Sequence, residues 1–236
     1  MIVGRRRFLT KNTASVLAGV NDISVDQSAN PKAQRVVVTE IYETGAPNFP
    51  AFGVYNANVM LAKNDIAVLE LASELTYSDT VIPVCLPALG DNGNTAAGKL
   101  AYTTGWGNTQ AGSSPSESQL QQVALNAATA AICSGDTFIN LFVGQGAAEW
   151  DDNLMLCYQD AAGAPGNVDI CTLDTGGPLM RQTTQGVWYQ YGVSITAPQT
   201  CTTGVPIPFT RVSAFCAFLA AATNQDVNCD NNNTPA

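Results

Sequence analysis

The chain has 236 residues, 46% hydrophobic and only 12% charged, ample apolar material for the core of one large domain or two small ones. Ten lysines and arginines against nineteen acids leave a formal charge of −9, which disfavours nucleic acid and anionic lipid as partners. There is no histidine, the commonest general base and metal ligand, no Cys-x-x-Cys pair and no apolar run long enough to span a bilayer, so no metal, cofactor or membrane is expected.

The first stretch, MIVGRRRFLTKNTASVLAGV, has two readings. Arg5 and Arg6 ahead of Phe8 and Leu9, followed by the apolar run at 14–20, fit a twin-arginine export signal. The same run also fits a strand, being about as short as the apolar region of a signal can be. Downstream, short apolar or alternating segments recur between Gly, Pro and Asn and read as strands: QRVVVTEIY (34–42), NDIAVLEL (64–71), KLAYTTGWG (99–107), NLMLCYQ (153–159), GVWYQYGVSI (186–195) and PFTRV (208–212). The stretches GDNGNTAAG, TQAGSSPSES and QDAAGAPGN lie between them and read as surface loops. Near the end the period changes: Val212, Phe215, Cys216 and Leu219 fall at i, i+3, i+4 and i+7, the stripe of an amphipathic helix. The pattern is all-β with one terminal helix, a folded domain over 1–223 and a polar, disordered tail over 224–236.

Seven cysteines point to an oxidising compartment and hence to a secreted, extracellular protein, with the odd number leaving at least one thiol over.

The segment CTLDTGGPLM (171–180) sets an acid, a hydroxyl residue and two glycines ahead of a proline, the makings of a tight turn that presents a nucleophile. It resembles the nucleophile turn of the trypsin-like serine proteases, Cys-x-Gly-Asp-Ser-Gly-Gly-Pro, with Thr175 in place of the serine. NDIAVLEL resembles the stretch that carries the family's catalytic aspartate, TGWG (104–107) one of its strands, and PFTRVSAF the lead into its last helix. VLAGVNDIS (16–24) and VCLPA (84–88) fit as well, all in the family's order. The resemblance implies two packed antiparallel β-barrels of the trypsin type, a C-terminal α-helix and a cleft between the barrels. MIVGRRRFLT then resembles the strand leading into the family's histidine turn. On that basis the chain is expected to begin inside the first barrel, leaving it incomplete, with 14–20 a barrel strand and not an export signal.

In that family an aspartate orients a histidine, the histidine takes a proton from the serine, and backbone N–H groups stabilise the oxyanion. By position, Asp65 matches the aspartate and Thr175 the nucleophile, both as vestigial positions in a chain without histidine. Leu173 stands at the usual oxyanion glycine, where a Cβ disfavours unusual backbone angles. Asp174 matches the carboxylate that active relatives bury against a new N-terminus. Asp169 matches the carboxylate that selects Arg and Lys substrates. Thr196 and Ile207 stand at pocket-wall positions usually held by glycine, and a branched Ile207 fills volume a substrate side chain needs. The resemblance also implies disulfides Cys133–Cys157 and Cys171–Cys201, each contributing ~3 kcal/mol. Cys216 either pairs with Cys229 or serves as a buried apolar residue. Cys85 matches a position that in some relatives bonds to a pro-segment cysteine. Plainer roles stand beside these: Asp65 as a buried strand residue without chemistry, Asp169 as a solvated loop carboxylate, Trp106 as a core aromatic.

The expected function is that of a secreted, catalytically inactive homologue that binds a protein partner, be it a protease, an inhibitor or another hydrolase. The alternative is an incomplete chain of an active endopeptidase cleaving after Arg or Lys. Losing triad members costs on the order of 10⁴ to 10⁶ in turnover.

Overall fold

The structure is a computed structural model that describes residues 2–3, 10–24, 28, 30–49, 51, 63–91, 100–107, 118–129, 131–132, 150–160, 175–195 and 206–229. Its first unit is a four-stranded antiparallel sheet built from β1 (Ile2–Val3), β2 (Ser15–Ala18), β3 (Gln34–Glu43) and β4 (Ala67–Leu71), in the order β1-β4-β3-β2. The run of three valines in β3 suits a pleated surface, and a register shift between Val38 and Glu40 marks a bulge against β4. Gln34 extends the edge of the sheet by imitating a strand. Its Nε2 donates to the Thr76 carbonyl at 2.8 Å and its Oε1 accepts the Thr76 amide at 2.7 Å.

The second unit is a closed antiparallel barrel of six strands. These are β5 (Leu100–Gly105), β6 (Gln121–Ala127), β7 (Met155–Asp160), β8 (Pro178–Gln182), β9 (Trp188–Ser194) and β10 (Ile207–Arg211), in the order β10-β7-β6-β5-β8-β9. Closure pairs every strand on both sides, although the β9–β10 pairing is short. One cluster fills it: Ala101, Leu125, Leu156, Tyr158, Leu179, Tyr189, Tyr191, Ile207 and Phe209, all buried. Gly192 is required there, since a Cβ would lie 2.9 Å from the Cβ of Phe209 and 3.2 Å from that of Leu179.

The segment joining the two units takes part in the barrel wall. β10 registers with β9 only from Gly192 to Ser194. Further back along β9, Cys85 forms a parallel bridge with Tyr189, its amide donating to Trp188 O at 3.0 Å and its carbonyl accepting from Gln190 N at 2.9 Å.

A 3-10 turn (Val212–Phe215) leads into the terminal helix α1 (Cys216–Ala222), as the apolar stripe predicts. The helix packs Phe218, Leu219 and Ala222 against Ile66 and Val68 of the first unit and Val193 of the barrel. Its end is secured by Thr223, whose hydroxyl donates to Leu219 O at 2.8 Å and accepts from Val227 N at 3.1 Å. A disulfide joins Cys216 to Cys229, with Cα atoms 5.5 Å apart, which resolves the two alternatives for Cys216. The tail expected from 224 onward thus begins with residues bonded back to α1, and 230–236 fall outside the described residues.

Candidate functional site

Thr175 lies in the turn that opens β8. Gly176 takes φ +90°, which a side chain would resist. The turn is fastened to the end of β9 by two backbone bonds of 2.8 Å each: Gly176 N donates to Ser194 O, and Ser194 N donates to Gly177 O. The register then continues with Pro178 opposite Val193. Thr175, half-buried, is therefore held at a fixed point on the barrel rim.

Asp65 is buried, at 3% exposure, on the turn just before β4. Asn64 adopts φ +62°, a left-handed conformation that asparagine tolerates better than most residues. The Asn64 carbonyl accepts the Thr44 hydroxyl at 2.8 Å and the Ile66 amide at 2.9 Å. The Asp65 carbonyl accepts the Thr210 hydroxyl at 2.9 Å. Thr210 stands opposite Val193 in the β9–β10 pair, and Phe209 opposite Ser194. A continuous path of bonds and register partners thus runs from Asp65 through Thr210 and β9 to the Thr175 turn.

Ser194 is the hinge of that path. It is 1% exposed, and its Oγ makes no hydrogen bond to the described residues. The motifs do not single it out, because it sits among other polar side chains, Tyr189, Gln190 and Tyr191, on the same buried strand. Arg211 passed unnoticed in the same way. It is a buried cation whose guanidinium donates to the carbonyls of Asp152 and Met155, and burial lowers its pKa.

Ile207 is 2% exposed, stands opposite Tyr158, and belongs to the apolar cluster that fills the barrel. Nearby the Arg181 guanidinium sits 5.0 Å from the centre of the Tyr191 ring, and the Tyr191 hydroxyl donates to Asp91 Oδ2 at 2.9 Å. Burial, then the Asp91 charge, pushes the Tyr191 phenol above its ordinary pKa.

Asp169, Leu173, Asp174, Thr196, Cys133, Cys171 and Cys201 lie outside the described residues. Cys157 is fully buried and disulfide-bonded, while Cys85 carries an exposed free thiol. Among the described residues no helix is long and apolar enough to cross a membrane, and no three His, Cys, Asp or Glu side chains group to hold a metal ion.

A family model described as trypsin matches residues 9–219. The chain belongs to the trypsin family. The closed six-stranded barrel and the short C-terminal helix fit the fold of trypsin-like serine proteases. Two similar proteins are CLIP domain-containing serine proteases of Anopheles gambiae. B14 is 33% identical over 174 residues, covering 70% of this chain and 44% of its own length, and B4 is 34% identical over 167 residues, covering 70% and 42%. The proclotting enzyme of Tachypleus tridentatus is 31% identical over 157 residues, covering 66% of this chain and 39% of its own. The chain thus spans less than half the length of these curated relatives.

Proposed function

We propose that this trypsin-family chain is a secreted, catalytically inactive homologue that acts by binding another protein, an active protease, an inhibitor or another hydrolase, and so regulates proteolysis. The observation that carries the reading is Thr175 at the serine position of a turn that also replaces the usual glycine by Leu173 and is pinned to Ser194 through Gly176 and Gly177. Threonine adds a methyl group beside the attacking oxygen, and an internal hydroxyl needs a neighbouring base to become a nucleophile. These 236 residues contain no imidazole to serve as that base. Ile207, packed into the barrel cluster at a position the family leaves to glycine, supports a pocket closed to long basic side chains. The Cys216–Cys229 bond and the disulfide at Cys157 support an oxidising, extracellular setting.

A second reading, an endopeptidase cleaving after Arg or Lys, is favoured by Asp65, which matches the family's catalytic aspartate by sequence position and is buried, its carbonyl accepting from Thr210. One experiment separates the two. The protein from its native source is treated with a fluorophosphonate probe and assayed on Arg and Lys peptides, alongside Thr175→Ser in the same full-length chain. The binding reading expects no labelling and no turnover from either. Turnover by the native protein establishes the endopeptidase reading, whereas turnover that appears only in Thr175→Ser shows that Thr175 is what silences the site. Affinity capture from the native fluid then identifies the partner, and reproducible failure to retain any protein counts against the binding role.

A further inference from the structure

Seven tyrosines occur in the chain, and six of them lie among the described residues. Tyr158, Tyr189 and Tyr191 are buried in the barrel, Tyr42 donates its hydroxyl to Glu70, and Tyr102 packs half-buried on Trp188. Tyr77 differs from these five. It is 69% exposed, and no hydrogen bond among the described residues engages its hydroxyl.

Tyr77 stands in an accessible strip of chain that follows β4. From Ala72 to Thr80 every residue except Leu75 is exposed, and none belongs to a named strand. The backbone is nonetheless held on both sides of the tyrosine. Gln34 grips the amide and the carbonyl of Thr76, and Ser78 bridges to Val81, its amide donating to the Val81 carbonyl at 2.9 Å. Along the strip the charge has one sign. Glu74 and Asp79 flank Tyr77, three residues before and two after, and no Lys or Arg occurs between Lys63 and Lys99. Lys32 reaches the strip from β3's approach, its Nζ 3.6 Å from Asp79 Oδ2, but both side chains stay largely exposed and such a pair is weak.

We propose that Tyr77 is a site of O-sulfation, an inference that rests on the secreted, partner-binding reading given above. An enzyme that transfers a sulfo group must bind an anionic donor, so its cleft is basic and draws in a tyrosine flanked by acids. The Tyr77 phenol oxygen attacks the sulfur of a mixed sulfate-phosphate anhydride. The new O–S bond replaces the S–O bond to the phosphate, which departs with the bonding pair, and the phenol proton passes to the transferase. The ester adds a permanent negative charge and a set of acceptor oxygens beside Asp79. Such a group suits the forked guanidinium of arginine, so the partner surface that meets this strip is basic.

The test expresses the full chain in cells of its native source and measures the intact mass of protein recovered from the medium, alongside Tyr77→Phe and the double variant Glu74→Gln/Asp79→Asn. All three substitutions fall at exposed positions. The parent should carry the mass of one sulfo group, lost in mild acid, retained after phosphatase treatment and placed on Tyr77 by fragmentation. Tyr77→Phe should lack it, and the double variant should lower its occupancy on the order of tenfold, the scale of electrostatic steering. Protein that reaches the medium with Tyr77 unmodified, or with the group on another tyrosine, overturns the inference and leaves the binding reading standing. A mass gain that phosphatase removes overturns it as well, since the group is then phosphate. Protein retained inside the cells defeats the secreted reading, and the inference falls with it.

Discussion

Thr210 and Asp65 are 145 residues apart in sequence, yet the Thr210 hydroxyl donates to the Asp65 carbonyl at 2.9 Å in a buried setting. This bond carries the position of the candidate aspartate from the first unit to the barrel. Thr210→Val keeps the shape of the side chain but leaves the Asp65 carbonyl without this donor. The expected cost is about 1–3 kcal/mol, the range for a buried acceptor deprived of its partner. Urea unfolding measures it, and an unchanged midpoint at constant m-value would show that the bond contributes nothing to holding Asp65.

The barrel interior makes a second prediction at Gly192. An alanine Cβ would sit 2.9 Å from the Phe209 Cβ and 3.2 Å from the Leu179 Cβ, atoms fixed close to the backbone that cannot swing aside. Gly192→Ala should therefore destabilise by about 1–3 kcal/mol, the usual penalty for overpacking. Thermal unfolding of the two proteins decides the matter, and equal midpoints would mean that β9 and β10 can separate cheaply.

The Tyr191 phenol has its pKa raised by burial, by the Asp91 charge and by the hydrogen bond to Asp91. Tyr158 is raised too, chiefly by burial. A group whose folded pKa exceeds its unfolded value stabilises the protein fully below the unfolded pKa, and that contribution is lost as pH rises through the folded one. For a phenol the loss begins near pH ~10. The melting temperature should fall over the alkaline range beyond that point, and Tyr191→Phe should fall less steeply. Identical slopes for the two proteins would show that Tyr191 ionises as freely folded as unfolded.

Cys216 and Cys229 close a loop with a sequence separation of 13 next to the helix that joins the two units. Replacing both with alanine should cost ~3 kcal/mol by chain entropy. Because α1 packs on both Ile66 and Val193, loss of the tie should also speed hydrogen exchange in β4 and β9 before it does so in β5 and β6. Uniform acceleration across the chain would instead indicate a single global opening.

Much of the architecture was legible because most strands are bounded by turn residues and carry their own apolar pattern. β4, β5 and β9 fall within the segments read as strands, β3, β7 and β10 overrun theirs by one residue each, and the helical stripe at Val212 to Leu219 became the 3-10 turn and α1. β6 was not legible. QQVALNA is made of residues that favour helix as readily as strand, and only Val123 and Leu125, facing inward at alternate positions, betray it. β8 escaped because its first residues had already been assigned to the Thr175 turn. At the site, motif order proposes Asp65 and Thr175 as counterparts of the family's aspartate and serine. The roles of Thr210 and Ser194 depend on strand register, which a single sequence does not fix.

The backbone of Cys85, held between Trp188 and Gln190, bears on where this molecule can be divided. The sequence reads the polar stretch after Leu89 as a surface loop, where cutting looks harmless. Physically the barrel wall already includes the chain at Cys85, which caps the part of β9 that β10 does not reach, and Leu86 sits in the core shared with α1. A fragment begun after the polar stretch would surrender part of its own wall and expose a ready edge for another chain. The stretch around Cys85 thus belongs to the second half, and a recombinant barrel would have to start before Cys85 to keep that part of its wall.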